Sequence, residues 1–264
     1  MDKKELLEKE LLDELKNFAK LNEEEIQEKL KTFPTFLFEN FQIEKVDEVG
    51  DVNKKKVVKR YDFVEIEFYI YNKDHKDCIT YERDCQAGYW FFHFSGVDIS
   101  FEGKLENKQK NSKSEDENNY GGGILIRSIR DNEGHVFCGP HNCEYELFDK
   151  FNAFGKAENA PRIVAVERNK KDKNNFDIQS CPRCIKANGK TREDKCTDWM
   201  YKDVAQMIKF LSKKYRFYDH KNTKWKSYDA ANDGYKDYGS TPSLKYKPQG
   251  FDITDKDIDD NNAQ

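Results

Sequence analysis

Glu65 and Glu67 stand two residues apart, and Tyr69 and Tyr71 continue at the same spacing. In an extended strand such positions share one face. The intervening Val64, Ile66, Phe68 and Ile70 then form the other. A face of two carboxylates and two tyrosines reads in two ways. It is an ordinary half-solvated strand, or it is the floor of a cleft where a carboxylate serves as general base beside a flat substrate. Glu67, next to Tyr69, suits holding a water beside a stacked ring.

Three further residues stand where a plain strand has no use for them. His93 lies within Trp90-Phe91-Phe92-His93-Phe94, Asp98 between Val97 and Ile99, and Arg127 after Ile124-Leu125-Ile126. A charge inside an apolar strand is costly unless it is paired. An Asp98–Arg127 pair across neighbouring strands satisfies both; a shared pocket is the alternative. His93 reads equally as a core histidine and as a pocket residue.

Cys181-Pro182-Arg183-Cys184 has the two-residue spacing of a zinc knuckle, and Cys196 follows twelve residues on. Cys138, Cys143 or His141 could complete four ligands. There is no second Cys-x-x-Cys pair, so structural zinc, free thiols and a redox pair all fit. The zinc deaminase pattern is not met, because no His-x-Glu precedes the pair.

The elements that must position these residues follow from periodicity. Leu7, Leu11, Leu15 and Phe18 recur at helical spacing over 3–20, and Asn22 with Glu25 forms a capping box for a second helix over 23–31, which Pro34 ends. Phe33, Phe36, Phe38 and Phe41 pack this arm onto a core. Strands are expected at 62–71, 89–101, 124–129 and 162–167, and the aromatic run 89–94 is expected to be buried on both faces. Helices are expected at 144–154 and 198–214. Residues 103–120 read as a flexible insertion. The result is an α+β protein: a mixed, mainly antiparallel sheet with flanking helices. It divides into a helical N-terminal arm (1–45), a core domain (46–218) and an extended C-terminal segment (219–264) with a disordered end.

Composition sets the limits. Of 264 residues, 36% are charged and 36% hydrophobic, so much of the chain is surface; the 14% aromatic content argues for a core built on Phe and Tyr. The net charge of −4 conceals an asymmetry. Residues 1–160 carry 24 basic and 34 acidic side chains, whereas residues 161–226 carry 18 basic and 8 acidic ones. A basic block is either a nucleic-acid footprint or a solvated lysine-rich surface. Lys54, Lys55, Lys56, Lys59 and Arg60 pose the same choice between a solvated turn and phosphate contact. No apolar run reaches membrane-helix length, and seven cysteines, an odd number, suit reduced thiols. A cytoplasmic monomer without membrane contact is expected.

Residues 63–130 resemble the methylpurine (alkyladenine) DNA glycosylases. Glu65-Ile66-Glu67-Phe68-Tyr69 matches a Glu-x-Glu-x-Tyr strand, an aromatic strand follows over 89–100, and Gly123-Ile124-Leu125-Ile126-Arg127 matches an apolar strand closing on arginine, in the same order. The chain is also similar to uncharacterised bacterial proteins that share the Trp-Phe-Phe-His and Gly-Gly-Ile-Leu-Ile-Arg runs. The resemblance implies a DNA glycosylase that flips alkylated or deaminated purines out of duplex DNA and hydrolyses the N-glycosidic bond. It implies Glu67 as general base and Arg127 as the residue orienting base and water. Tyr69 stacks on the flipped base, and Phe91, His93 and Asp98 are nearby substrate contacts. It implies no cofactor, since a charged alkylated purine already leaves readily. The chain departs from the family in having Asp98 where the family has asparagine. His75 does not fall at the family's pocket histidine, and Phe91 is the nearest position to the tyrosine that wedges into DNA. The alternative is a non-catalytic nucleic-acid- or ligand-binding protein on the same fold.

Overall fold

The computed structural model describes residues 2–49, 55–105, 118–149, 160–173, 175–181, 183, 209–210, 213–221, 225–229 and 234–238. The N-terminal arm is three helices: α1 (Lys3–Asn17), α2 (Glu23–Leu30) and α3 (Phe33–Asn40). The Asn22–Glu25 capping box forms, with Glu25 N donating to Asn22 Oδ1 at 3.0 Å and Asn22 N to Glu25 Oε2 at 2.9 Å. A second box, Asp2 with Glu5, opens α1. Pro34 does not end α2. It sits in the first turn of α3, where its missing N–H and fixed φ cost nothing.

The sheet begins at β1 (Phe41–Val49), so the last residues assigned to the arm already belong to it. It continues through β2 (Lys55–Tyr71), β3 (Trp90–His93), β4 (Gly96–Ser100), β5 (Gly121–Asp131) and β6 (Val136–Cys138). Then come α4 (Pro140–Phe148), β7 (Arg162–Ala165), a short helical turn α5 (Lys170–Lys173), β8 (Ile178–Cys181) and β9 (Arg216–Asp219). The main path is β3-β4-β5-β2-β1-β7; β6 joins β5, and β8 joins through β9 to β2. Each described pairing is antiparallel, giving an α+β fold with a helical N-terminal arm.

The seventeen-residue β2 is the hub. Its first half pairs with β1, and its second half with β5 on one side and β9 on the other. A register irregularity at Glu65 marks the change of partner, as bulges bend and twist a strand. On one side of the sheet Ile66, Phe68, Ile70, Ile124, Ile126 and Phe101 pack in one cluster with Phe18, Phe33 and Leu37 of the arm. Phe18 stacks on Phe101 at 4.7 Å and meets Phe68 at 5.5 Å, so the aromatic core is as expected.

Two glycines make the strands fit. Gly122 holds φ +138°, and a Cβ there would fall 2.0 Å from the Tyr69 carbonyl oxygen. At Gly123 a Cβ would lie 2.8 Å from Ile99 O and 3.0 Å from Arg83 Nη1. The Gly121-Gly122-Gly123 run thus admits backbone and an arginine where side chains would collide.

Several boundaries move. Helix α4 starts at Pro140, four residues before the expected start, and the expected continuation beyond 149 lies outside the described residues. So does nearly all of the expected helix 198–214. Residues 106–117 of the expected insertion are also outside; its base is closed by a Lys104–Tyr120 bridge. Within the expected C-terminal wrap, β10 (Trp225–Asp229) and β11 (Gly234–Tyr238) form an antiparallel ladder.

The aromatic run is not buried on both faces. β3 ends the sheet path and pairs with β4 alone among the described strands. Phe148 meets Trp90 and Phe92 on one face and Arg83 lies over Phe91 on the other, so cover is partial: Phe92 is 51% exposed and Phe94, in the turn to β4, 87%.

Candidate functional site

Residues directly opposite in adjacent strands share a sheet face. Cross-strand pairing therefore places Cys181, Arg216, Glu67, Leu125, Asp98 and Phe91 in one transverse row over β8, β9, β2, β5, β4 and β3. Tyr69, Arg127 and His93, each two residues from a member of the row, lie on the same face. This is the face away from the helical arm. The candidate residues on β2, β3, β4 and β5 thus fall on one surface, though not in one cluster. Leu125 separates Glu67 from Asp98, and at about 4.8 Å per strand the two backbones stand roughly 10 Å apart.

The first cluster surrounds Glu67, which is wholly buried. Its Oε2 accepts from the Tyr69 hydroxyl at 2.6 Å and from Arg127 Nη1 at 3.1 Å. Arg216 Nε lies 3.7 Å from Oε1, beyond hydrogen-bond reach, and Oε1 accepts no hydrogen bond among the described residues. Arg216 instead gives its hydrogen bond to Glu65, whose other oxygen accepts from Ser128 Oγ at 3.0 Å. Arg183 donates to Asp77 Oδ2 at 2.7 Å and to the carbonyls of Phe68 and Phe210, and its guanidinium rests 4.8 Å from the Tyr69 ring centre. Three acids thus meet three arginines.

Burial by itself raises the pKa of Glu67. Arg127, Arg216, the Tyr69 hydroxyl and Arg183 together outweigh it, and the carboxyl ends below its ordinary value. Glu67 is an anion at neutral pH. Burial and the neighbouring Glu67 charge push the Tyr69 phenol well up, so it stays a proton donor. Burial disfavours the Arg127 cation, but Glu67 and Glu65 more than restore it.

The second cluster surrounds Asp98. The expected Asp98–Arg127 pair does not form. Register sets Leu125, not Arg127, opposite Asp98, and Arg127 turns to Glu67. Arg83, from the segment between β2 and β3, pairs with Asp98 at 2.7 Å instead, with both side chains 1% exposed. The Arg83 guanidinium also lies 3.9 Å from the Phe91 ring centre. His93 Nε2 contacts Asp98 Oδ1 at 2.9 Å, and Ser95 N donates to His93 Nδ1 at 3.1 Å. That acceptor role assigns the proton to Nε2. Both nitrogens are committed, so His93 can offer a ligand only its ring. Partly buried Tyr69, Tyr81, Phe91, His93 and Arg127 rim the buried acids.

Glu65 and Glu67 are therefore not on a half-solvated strand face, because the side chains of Arg127, Arg216 and Arg183 pack around them. Sequence reasoning missed Arg83, Asp77, Arg183 and Arg216. Arg216 carried a signal, a charge within Tyr215-Arg216-Phe217-Tyr218. Arg83 and Asp77 lie in a segment without periodicity. Arg183 was absorbed into the zinc-knuckle reading.

The basic residues behave differently from a free cationic patch. Lys59 contacts Asp47 at 3.3 Å and Glu146 at 3.6 Å, and Arg60 contacts Glu44 at 2.9 Å. Lys56 is exposed; Lys54 and the side chain of Lys55 lie outside the described residues. In the basic block, Arg162 pairs with Glu44, Arg168 with Asp62, Arg183 with Asp77, Lys213 with Glu23 and Arg216 with Glu65. Every one of these acids comes from the N-terminal part of the chain. Complementarity within the molecule thus accounts for part of the charge asymmetry.

For metals, Cys181 is half-buried on β8, while Cys184 and Cys196 lie outside the described residues. Among the described residues the one group with ligand atoms within 4.8 Å of one another is Asp131, Glu133 and His135, in the β5–β6 turn. Turn geometry already uses it: Asp131 Oδ1 accepts from the backbone of Glu133 at 2.9 Å and of His135 at 2.8 Å. Cys143 is buried and donates to Phe137 O at 3.3 Å. Burial pushes the Cys138 thiol up to about 12 and the Cys143 thiol well up. No described helix is long and apolar enough to cross a membrane.

Comparison with protein-family models, with curated proteins and with solved structures finds no match to this chain.

Proposed function

We propose that the sheet face around Glu67 is a nucleobase-binding hydrolytic site of the DNA glycosylase type, acting on alkylated or deaminated purines in duplex DNA. The observation that carries this reading is the division of labour at Glu67. One carboxylate oxygen is held by Tyr69 and Arg127, while the other, Oε1, accepts no hydrogen bond among the described residues. An anionic carboxylate fixed at one oxygen, with its other oxygen buried and unbonded among the described residues, fits a general base.

In this scheme a water gives its proton to Glu67 Oε1 as its oxygen bonds to the anomeric carbon. The bond from that carbon to the purine nitrogen breaks, and the electron pair leaves with the base. An alkylated purine is cationic and departs neutral. Partly buried Phe91, Tyr81 and His93 supply flat surfaces at the rim. The His93 ring contributes only by stacking, and Asp98, held by Arg83 and His93, acts as a support rather than a direct contact.

A second reading has its own observation. Arg183 lies against the Tyr69 ring and is itself fully buried. A base stacking on that face of Tyr69 must displace it or use the other face. If Arg183 stays, the protein binds a partner or ligand without excising a base.

Base release from methylated duplex DNA separates the two. The hydrolytic reading expects free purine from the wild type and a loss of about 100-fold or more in Glu67→Gln, the scale of a lost general base, measured well below the melting temperature of the variant, which the loss of a buried ion-pair partner lowers. Binding of duplex DNA by the wild type without base release sinks it in favour of the second reading.

A further inference from the structure

We propose that Arg216 is a positioning residue for Glu67: it gives its hydrogen bond to Glu65, and so holds Glu67 as a carboxylate while leaving Oε1 free to receive a proton. The inference rests on the hydrolytic reading for its purpose, but not for its test.

Register brings the two residues together. Arg216 and Glu67 are directly opposite in the short β2–β9 ladder, and both side chains are 1% exposed. Position alone would give a head-on ion pair. Glu65, two residues before Glu67 on the same face of β2, borders Arg216 as well, and Arg216 Nε and Nη2 both contact Glu65 Oε1. Glu67 Oε1 remains 3.7 Å away, near enough for strong attraction at low dielectric and too far for a hydrogen bond. Arg216 therefore neutralises Glu67 without occupying its lone pairs. Arg127 cannot do the same, because its Nη1 is bonded to Oε2.

The other groups facing Glu67 set the context. Tyr69 from β2 bonds to Oε2, Arg183 adds positive charge beyond Tyr69 and is balanced by Asp77, and Glu65 adds the neighbouring negative charge. Arg216 Nη1 is buried and has no hydrogen-bond partner among the described residues. A single water bridging that donor and Glu67 Oε1 would satisfy two orphaned buried atoms at once.

The test is the titration of the Glu67 carboxyl itself, followed by carbon NMR in glutamate-labelled full-length protein and assigned by its disappearance in Glu67→Gln. Glu65→Gln with Arg216→Gln removes the pair while keeping the local charge balanced and the shapes similar. With one of the two nearest cations gone, and the repulsion from Glu65 gone with it, the Glu67 midpoint is expected to rise by about 1 pH unit. Arg216→Lys keeps the charge and loses the forked hold on Glu65, and its midpoint is expected to stay near the wild type. A double variant that melts earlier but titrates like the wild type overturns the proposal, since Arg216 is then structural only. If the double variant does not fold, Glu65→Met with Arg216→Met, which refills the same volume with apolar groups, takes its place and is read in the same way. Where base release is observed, its acid limb should follow the midpoint. Where the wild type releases no base, the hydrolytic reading falls, and the carboxyl titration still decides the role of Arg216.

Discussion

Replacing Asp98 with asparagine tests the second cluster, because it removes the charge and keeps the shape of the side chain. The Asp98 and Arg83 side chains are each 1% exposed and 2.7 Å apart. The introduced asparagine could still accept from His93 Nε2 through its amide oxygen. Its amide nitrogen would then face Arg83, donor against donor, and leave a buried guanidinium unpaired. Removing one partner of a buried ion pair costs about 3–5 kcal/mol. At roughly 2–4 °C per kcal/mol for a domain of this size, the melting temperature should fall by about 6–20 °C. Urea unfolding at pH 7, followed by tryptophan fluorescence, measures the change directly; Trp90 on the adjoining strand packs edge-on to Phe148 at 5.3 Å and serves as a reporter. In a cycle with Arg83→Met, the double variant should recover part of the loss, with a coupling of about 2–3 kcal/mol. A cost below about 1 kcal/mol, the scale of a solvated surface pair, would mean that Arg83 is not the reason an acid stands at 98.

Three further outcomes follow from single features. Burial raises the pKa of Glu23, but its bonds to His75 and Lys213 outweigh this and take it from 4.5 to about 2. A depressed carboxyl stabilises the folded state above its unfolded value, and the contribution disappears as pH falls from about 4.5 to about 2; Glu23→Gln should flatten the urea midpoint across that window, and an unchanged slope would refute it. Gly122→Ala should cost about 3 kcal/mol or more, from a 2.0 Å clash combined with positive φ, whereas Gly134→Ala, with open space around it, should cost about 1–2 kcal/mol; equal urea midpoints would contradict the backbone argument. Cys138, pushed up to about 12, and buried Cys143 should resist a thiol reagent at pH 8 and react once unfolded, as peptide mapping by mass spectrometry would show.

Much of the site's membership was legible from local pattern. Alternation in 64–71 placed Glu67 and Tyr69 on one face and the core residues on the other, because the strand period is two wherever the strand runs. The misplacement of Asp98 and Arg127 in apolar runs marked them as paired. What the pattern could not give was the identity of the partners. Arg83 and Arg183 come from segments with no periodicity, and Arg216 from a strand some 150 residues away. Pairing across such distances depends on register, and the β2–β9 register sets Arg216 opposite Glu67 and within reach of Glu65.

Spacing, capping chemistry and hydrophobic periodicity act over a few residues, so they are complete in the chain before it folds. They dictated the α+β class, the helical arm with its Asn22–Glu25 cap, the aromatic core and the shared face of Glu67 and Tyr69. Folding in three dimensions added the rest: that this face is covered by arginine side chains, that Asp98 belongs to Arg83, and that Arg162, Arg168, Arg183, Lys213 and Arg216 of the basic block pair with acids of the N-terminal part. Burial and ion pairing are set by which strands become neighbours: the sheet leaves β3 paired with β4 alone among the described strands, and it sets β9 beside β2 so that Arg216 reaches the buried acids.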